Sequence, residues 1–594
     1  MTTPLPGPPV LVLGAGPVGQ TAALLLARWG LPVVVLDARP ARDPIGSKAI
    51  CQQRDVLDVW DSVGVGAEVA RRGVTWTTAR TFHRDAELFS FTFADRGRSP
   101  FPPFVNVSQC ETEALLDARI AASPLVDVRW GHRVTGIDQD DSAAGDGGVT
   151  VTCETPGGEV RVRGSHAVAC PGPRSDALRS MLGLAFPGES FEDSFLICDI
   201  RTDLPGWETE RRFYFDPEWN PGRQVLIHPC PDSTFRIDWQ VPPDFDLATE
   251  EAAGSLDRRI RQVIGDRPYE IVWKSVYRFH SRLVDRMRVG KVLVAGDAAH
   301  LVSPFGARGL NSGVLDAENA AWKIAFVRRG WAPEELLESY HAERHAAAQE
   351  NIDVTTATMR FLVPRSEEEA RHRLDVLERA AGDPAARAQV DSGRLAEPFW
   401  YVDSPLTTPD PARPFPGRPA RGDVPVPAPG VLVPDCPVTV PGRPDVVRLR
   451  QLAREGVTVL VGDDAVLPAL PDLPDGLPAA ARHELASGGG QGGPSRPVNV
   501  HRMGDLDPSG LLHEALGARS DEVWVLRPDA HIAAVLTDPA GVAPAVARLL
   551  ALEGPPCPPP LVGGPRPPHR SQARGEPLDG AGAPARGPVS VSTI

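Results

Sequence analysis

The stretch VLVLGAGPVGQTAALLLARWGLPVVVLDAR, residues 10–39, decides the fold. Residues 9–13 are an apolar run long enough for a buried strand and too short for a helix. Gly14, Gly16 and Gly19 follow with GxGxxG spacing, and Pro17 and Val18 lie between the last two. An Ala- and Leu-rich run then reads as a helix stopping at Gly30, and residues 31–36 as a second buried strand ending on Asp37. Each glycine has its own task in such a unit. The first permits a tight turn, the second lets the backbone approach a pyrophosphate, and the third lets helix and strand pack closely. The helix N-terminus offers free N–H groups to phosphate. Asp37, with Ala38 and Arg39 after it, stands where ribose hydroxyls are met. A lone GxGxxG is weak, because glycine-rich turns are common. Here strand, helix and acid all fall at the required distances, so an ordinary strand–turn–helix is the poorer reading. An adenine dinucleotide is expected at this turn.

Working outward, 594 residues are more than one hydrophobic core usually serves. The formal net charge of −15, from 62 Lys+Arg against 77 Asp+Glu, argues against nucleic acid or an anionic membrane as partner. No uncharged apolar run is long enough to span a bilayer, and residues 1–9 lack the basic and apolar parts of a signal peptide. The cysteines (51, 110, 153, 170, 198, 230, 436 and 557) are scattered, with no CxxC and no Cys/His cluster. Reduced thiols in a cytoplasm are therefore expected, with no metal site.

The patterning sets out a domain plan. Residues 1–75, 105–186 and 286–400 read as three parts of the nucleotide-binding domain, the last with a helical segment. Residues 76–104 and 187–285 alternate as in a large antiparallel sheet, with runs such as RRFYF, RQVLIHP and FRIDWQV. Strands are expected at 126–134, 149–153 and 166–170, and helices at 53–63, 111–121 and 311–329. A Pro-rich linker covers 401–429, and a smaller α/β unit covers 430–553. Within that unit helices are expected at 446–455, 509–516 and 541–552, strands at 457–461, 522–526 and 531–536, and a Gly-rich loop at 487–493. Residues 554–594, rich in Pro, Gly, Arg and Ser, read as a disordered tail.

A second stretch, KVLVAGDAAHLVSPFGARGLNSGVLDAENAAWKIA at 291–325, specifies more. Asp297 falls where a buried strand ends, a place suited to binding a polyol hydroxyl. The loop carrying Pro304, Phe305, Gly306, Gly309, Leu310 and Asn311 can lie against a flat ring, because its glycines carry no side chains. It opens a helix whose positive end favours negative charge on that ring. With the N-terminal fingerprint, these residues resemble the flavoprotein aromatic hydroxylases of the para-hydroxybenzoate hydroxylase type, single-component FAD monooxygenases.

The resemblance covers about residues 8–400 and implies a set of roles. Gly14, Gly16, Gly19 and Asp37 would hold the ADP half of FAD, and Asp297 would meet the ribityl chain. Gly309, Leu310 and Asn311 would approach the pyrimidine edge of the flavin. Lys48 stands in the loop 46–50 where the family usually has Arg, and Gln109 falls at a cofactor-contacting position. The 415–553 unit resembles the thioredoxin-like C-terminal domain of the phenol hydroxylase branch, without redox cysteines. One departure is Pro171, where the family pattern has Asp before Gly172. It touches the docking of NAD(P)H more than the binding of FAD. The expected class is α/β: a Rossmann-like FAD-binding domain, an antiparallel-sheet substrate domain and a thioredoxin-like C-terminal domain.

The chemistry this implies belongs to the cofactor. By the resemblance NAD(P)H would reduce FAD, the reduced flavin would activate O₂ at its C4a position, and oxygen would pass to a small aromatic substrate, phenolic or polycyclic. Pro304 and Phe305 would wall the flavin side. Candidate substrate-facing residues are Tyr214, His228, Asp238 and Trp239, and His228 is the first candidate to take a phenol's proton. Trp239 reads first as plain core, and His300 reads as structural. Baeyer–Villiger oxygenation, a reductase or dehydrogenase without oxygen transfer, and an inactive FAD-binding scaffold are left open. The C-terminal unit is expected to buttress the main body or an oligomer contact such as a homodimer's.

Overall fold

A computed structural model describes residues 5–44, 46, 48–93, 99–140, 147–390, 395–419, 423–466 and 497–552. The expected loop at 487–493 and the tail from 554 lie outside these residues. The first layer is a six-stranded sheet in the order Arg288–Val289, Val292–Val294, Ala167–Ala169, Val10–Leu13, Val33–Leu36, Val126–Arg129. Its pairings are parallel except for the hairpin at the first edge. Strands Val10–Leu13 and Val33–Leu36 are buried at every residue, which is why they read as unbroken apolar runs. Helices Pro17–Arg28 and Gly309–Arg328 pack against each other.

The single strand expected at 126–134 is two strands. Val126–Arg129 closes the parallel sheet, while Arg133–Gln139 joins Val149–Thr155 and Gly158–Gly164 in a separate antiparallel sheet. The break falls at Gly131, left-handed at φ +67°, whose N–H donates to the Arg39 carbonyl at 2.7 Å. An alternating apolar pattern runs through both strands, so nothing in the spacing marks the turn except that glycine.

The second layer is an eight-stranded sheet: His300–Leu301, Glu270–Leu283, Gly188–Arg201, Thr234–Val241, Gln224–Cys230, Glu210–Phe215, Thr78–His83, Ala86–Thr92. It is antiparallel apart from Thr78–His83, which pairs parallel with Glu210–Phe215. Its far face is covered by helix Ser255–Ile264 through Leu256, Ile260 and Ile264, spaced on one helical stripe. Its near face turns toward the nucleotide domain.

The C-terminal unit has a sheet in the order Val498–Arg502, Val457–Val461, Val523–Leu526, Ile532–Leu536. The helix expected at 446–455 contracts to Leu449–Ala453, because Arg448 is held extended in a bridge to Pro437. The unit docks through buried arginines. Arg450 meets Asp55 at 2.8 Å, and Arg454 meets Asp58 at 2.8 Å and Glu318 at 2.7 Å. The Pro-rich segment before it is packed rather than loose: Trp400, Tyr401 and Leu406 are buried. Among the described residues no helix is long and apolar enough to cross a membrane.

Candidate active site

The first glycine turn works as three separate steric facts. Gly14 sits at φ +107°, and a Cβ there would lie 2.6 Å from the Cys170 carbonyl oxygen and 2.7 Å from Pro171 Cα. A Cβ on Gly19 would stand 1.9 Å from the Gly14 carbonyl oxygen. At Gly16 a Cβ would meet nothing within 4 Å, so this glycine faces open space. Gly16 caps the helix without a side chain, and Pro17 takes the first helical position, where no N–H is needed. Val18 is a packing residue: Cβ atoms added to Gly296 and Gly313 would come within 3.1 and 2.6 Å of it. It locks the two glycine turns together.

Asp37 accepts from the Ala15 N–H at 2.7 Å and pairs with the Arg39 guanidinium at 2.9 Å. Burial would raise its carboxyl, but the Arg39 bonds and the Ala15 N–H outweigh this and hold it below the ordinary range. Ala38 lies exposed beside it. Arg42, which the sequence reading passed over, donates to the Ala15 carbonyl at 2.8 Å and pairs with Glu113 and Asp117. Gln109 accepts from the Ala49 N–H at 3.1 Å and so ties down the loop that carries the exposed Lys48.

In the second turn, the Asp297 side chain projects outward from the strand end, and desolvation raises its carboxyl above the ordinary value although His300, Lys48 and Arg179 oppose this. Its backbone carbonyl and that of Ala298 accept from Arg179 at 3.3 and 3.0 Å. His300 is structural: it meets Asp316 at 2.7 Å in full burial, and Asp316 also binds Arg344 and the Gly296 N–H. Burial opposes that charge, yet His300 and Arg344 bring the Asp316 carboxyl down to about 2. Pro304 is exposed, and Phe305 is buried below it. Gly309 and Leu310 begin the helix half-buried. The Asn311 side chain does not reach outward. It donates to the Cys51 carbonyl at 2.9 Å and accepts from the Gln53 N–H at 3.1 Å, holding strand Cys51–Gln53 beside the helix start.

On the near face of the large sheet, His228 and Asp238 approach to 3.9 Å. His228 Nδ1 and Asp238 Oδ1 are buried atoms with no hydrogen-bond partner among the described residues. Burial, eased by Arg236 and Arg211, pushes the Asp238 carboxyl up to about 7. Burial, reinforced by the same arginines, holds His228 well below its ordinary value. Arg236 forks onto Asp199 at 2.7 and 3.1 Å and donates to the Lys48 carbonyl at 2.9 Å, linking this face to the cofactor loop. The alternation of FRIDWQV, which puts Arg236 on the face of Asp238, was the signal that could have found it. Phe305 packs among Phe195, Phe213 and Phe279, with ring centres 5.5 to 6.2 Å away.

Two candidates are on the wrong side. Tyr214 stacks on Phe82 at 4.5 Å and packs with Trp219 on the far face. Trp239 is fully buried there, in the cluster with Leu256 and Ile260. Side chains alternate across a strand, so neither shares the face of His228 and Asp238.

Two glycine turns locked together beside a sheet face with unpaired polar atoms define the class as a flavin-dinucleotide-binding protein. Residues 8–355 match the family described as FAD binding domain, and the chain belongs to that family. It is 29% identical over 390 residues to para-nitrophenol 4-monooxygenase of Pseudomonas sp. (strain WBC-3), covering 64% of this chain and 92% of that one. It is 27% identical over 412 residues to 3-(3-hydroxy-phenyl)propionate/3-hydroxycinnamic acid hydroxylase of Mycobacterium sp. (strain JLS), covering 69% and 70%. Among solved structures, the flavin-dependent monooxygenase PieE in complex with FAD and substrate superposes with a TM-score of 0.76 at 22% identity, over 93% of this chain and 100% of that one. At that identity the likeness is one of fold. The residues fit FAD: the open side of Gly16, the ionised Asp37 and the outward Asp297 offer what pyrophosphate, ribose and ribityl groups need.

Proposed function

We propose that the chain hydroxylates an aromatic substrate, phenolic or polycyclic, using NAD(P)H and O₂. FAD, when bound, supplies electron transfer from NAD(P)H and the activation of O₂. The observation that carries the reading is the unpartnered His228–Asp238 pair on the sheet face that Phe305 packs against. Asp238, its carboxyl pushed up to about 7, is poised to accept a phenol's proton, and His228, held neutral beside it, can hydrogen-bond the phenol's oxygen at a ring nitrogen. Phe195, Phe213, Phe279 and Phe305 keep water from this end of the site, and Pro304 forms the wall above them. Gln109 and Asn311 act as positioning residues, holding the strands and loop that frame the cofactor.

The test uses the FAD-loaded chain with NADPH or NADH and a panel of phenols and polycyclic phenols. Oxygen uptake matched one-for-one by a hydroxylated product supports the proposal. Ring-expanded or ester products would favour Baeyer–Villiger oxygenation instead. Flavin reduction with no oxygen in any product would leave a reductase, and a flavin that no pyridine nucleotide bleaches would leave a scaffold.

A further inference from the structure

The loop before helix Gly309–Arg328 has a backbone that it would not hold alone. Gly306 at φ +91° and Ala307 at φ +58° are consecutive left-handed residues, a region unfavourable for alanine. Such a geometry persists only where the surroundings over-determine it. Ala307 closes the turn on the Pro304 carbonyl at 2.9 Å, and Asn311 donates to the Ala307 carbonyl at 2.5 Å. The remaining restraints come from far along the chain. The Ala396 N–H donates to the Gly306 carbonyl at 2.6 Å. Buried Arg308 donates to the Leu395 carbonyl at 3.1 Å and to Asn351 Oδ1 at 2.7 Å.

From Ala396 the chain runs directly into the C-terminal unit. The Tyr401 N–H donates to the Gly430 carbonyl at 2.7 Å, and the Gly430 N–H donates to the Ile532 carbonyl at 2.7 Å. The Tyr401 hydroxyl accepts from Arg344 at 3.1 Å and from Asn319 at 3.2 Å. Arg418 pairs with Glu350 and Glu397 while lying over the Trp400 ring at 4.6 Å. A few residues of chain, hydrogen-bonded at both ends, therefore separate the flavin-side loop from a strand of the C-terminal sheet.

We propose that residues 395–401 are a strap through which the C-terminal unit sets the geometry of the 304–308 loop, with Arg308 as its positioning residue. The unit then governs how the cofactor is held while giving no group to the chemistry. The proposal rests on the FAD site and is independent of which substrate is oxygenated.

Native-state hydrogen exchange on the FAD-loaded full chain tests it without turnover. The amides of 306–311 and 396–401 are expected to open in one cooperative step, and opening at distinct free energies overturns the proposal. Two variants sharpen the test. Ala396→Pro removes the N–H given to Gly306, and Arg308→Lys keeps the charge but loses the fork. Each is expected to speed exchange of 306–311 about tenfold, the scale of one lost buried hydrogen bond, and to shift the visible flavin spectrum. Arg413→Ala, which loosens the C-terminal unit only around Glu522, is expected to change neither. Wild-type exchange and spectra in both strap variants, or the same changes in Arg413→Ala, would reduce the strap to ordinary packing. If a strap variant fails to fold, the cooperative-opening measurement on the wild-type chain decides.

Discussion

Glu343 and Arg527 form a fully buried two-bond ion pair at 2.6 and 2.9 Å across 184 residues of chain. The same carboxylate binds Lys323 at 2.6 Å, and Arg527 also forks onto Asp529. Burial presses the Lys323 ammonium down to about 8 even with Glu343 beside it. A buried pair of this kind fixes which surfaces meet more than it adds net stability, but removing one partner is costly. Glu343→Gln is expected to destabilise the protein by about 3–5 kcal/mol, read as a lowered urea midpoint with an unchanged slope. An unchanged midpoint would mean the charges are solvated.

Truncation before the C-terminal unit follows the same logic. Removing residues 415–594 strips Arg450, Arg454 and Arg527 from Asp55, Asp58, Glu318 and Glu343. The shortened chain keeps both glycine turns, yet it is expected to melt well below the full chain and to aggregate. Thermal melts and light scattering measure this, and an equal Tm would contradict the docking argument.

The three glycines of the first turn are expected to fail differently. Gly19→Ala places a methyl 1.9 Å from a backbone oxygen and should destabilise the apoprotein by several kcal/mol. Gly16→Ala meets no protein atom and should leave the apoprotein Tm near the parent's while weakening FAD binding at least about tenfold. Melting curves with and without FAD separate the two outcomes.

Asp238 gives a pH dependence with a definite sign. Burial pushes its carboxyl from the ordinary 3.8 up to about 7 in the folded chain. Between those values the folded chain holds the extra proton, so this group's contribution lowers stability as pH rises through the window, by roughly 1–3 kcal/mol. Asp238→Asn should flatten that slope in denaturant titrations from pH 4 to 7. In turnover, the limb near pH 7 should vanish with the same substitution if the pair handles the phenol's proton.

Tyr214→Phe, on the far face, is expected to leave turnover and its pH profile unchanged. Arg236→Lys should weaken the link to Asp199 and to the Lys48 carbonyl, lowering FAD affinity about three- to tenfold, as expected for a lost charged fork. Fluorescence titration with FAD reads the second effect, and steady-state rates read the first.

Much of this molecule follows from local pattern. The run at 10–39 specifies strand, turn and helix because strands buried on both faces are uniformly apolar and because Gly14 and Gly19 have no room for a side chain. The stretch at 291–325 likewise announces a second turn, and alternation at 187–285 announces a sheet. Within one strand alternation sets Trp239 opposite Asp238 and Arg236, but only the register put Tyr214 on the face of Trp239 and His228 on that of Asp238, and alternation is symmetric, so it does not say which side meets the cofactor. Packing of helix Ser255–Ile264 on one side decided that. Tertiary contacts also decided that Asn311 serves the Cys51 and Gln53 backbone, that residues 395–401 press on the flavin-side loop, and that three arginines seat the C-terminal unit. Those partners are far apart in the chain, and a buried charge carries no mark in sequence of the opposite charge that will neutralise it.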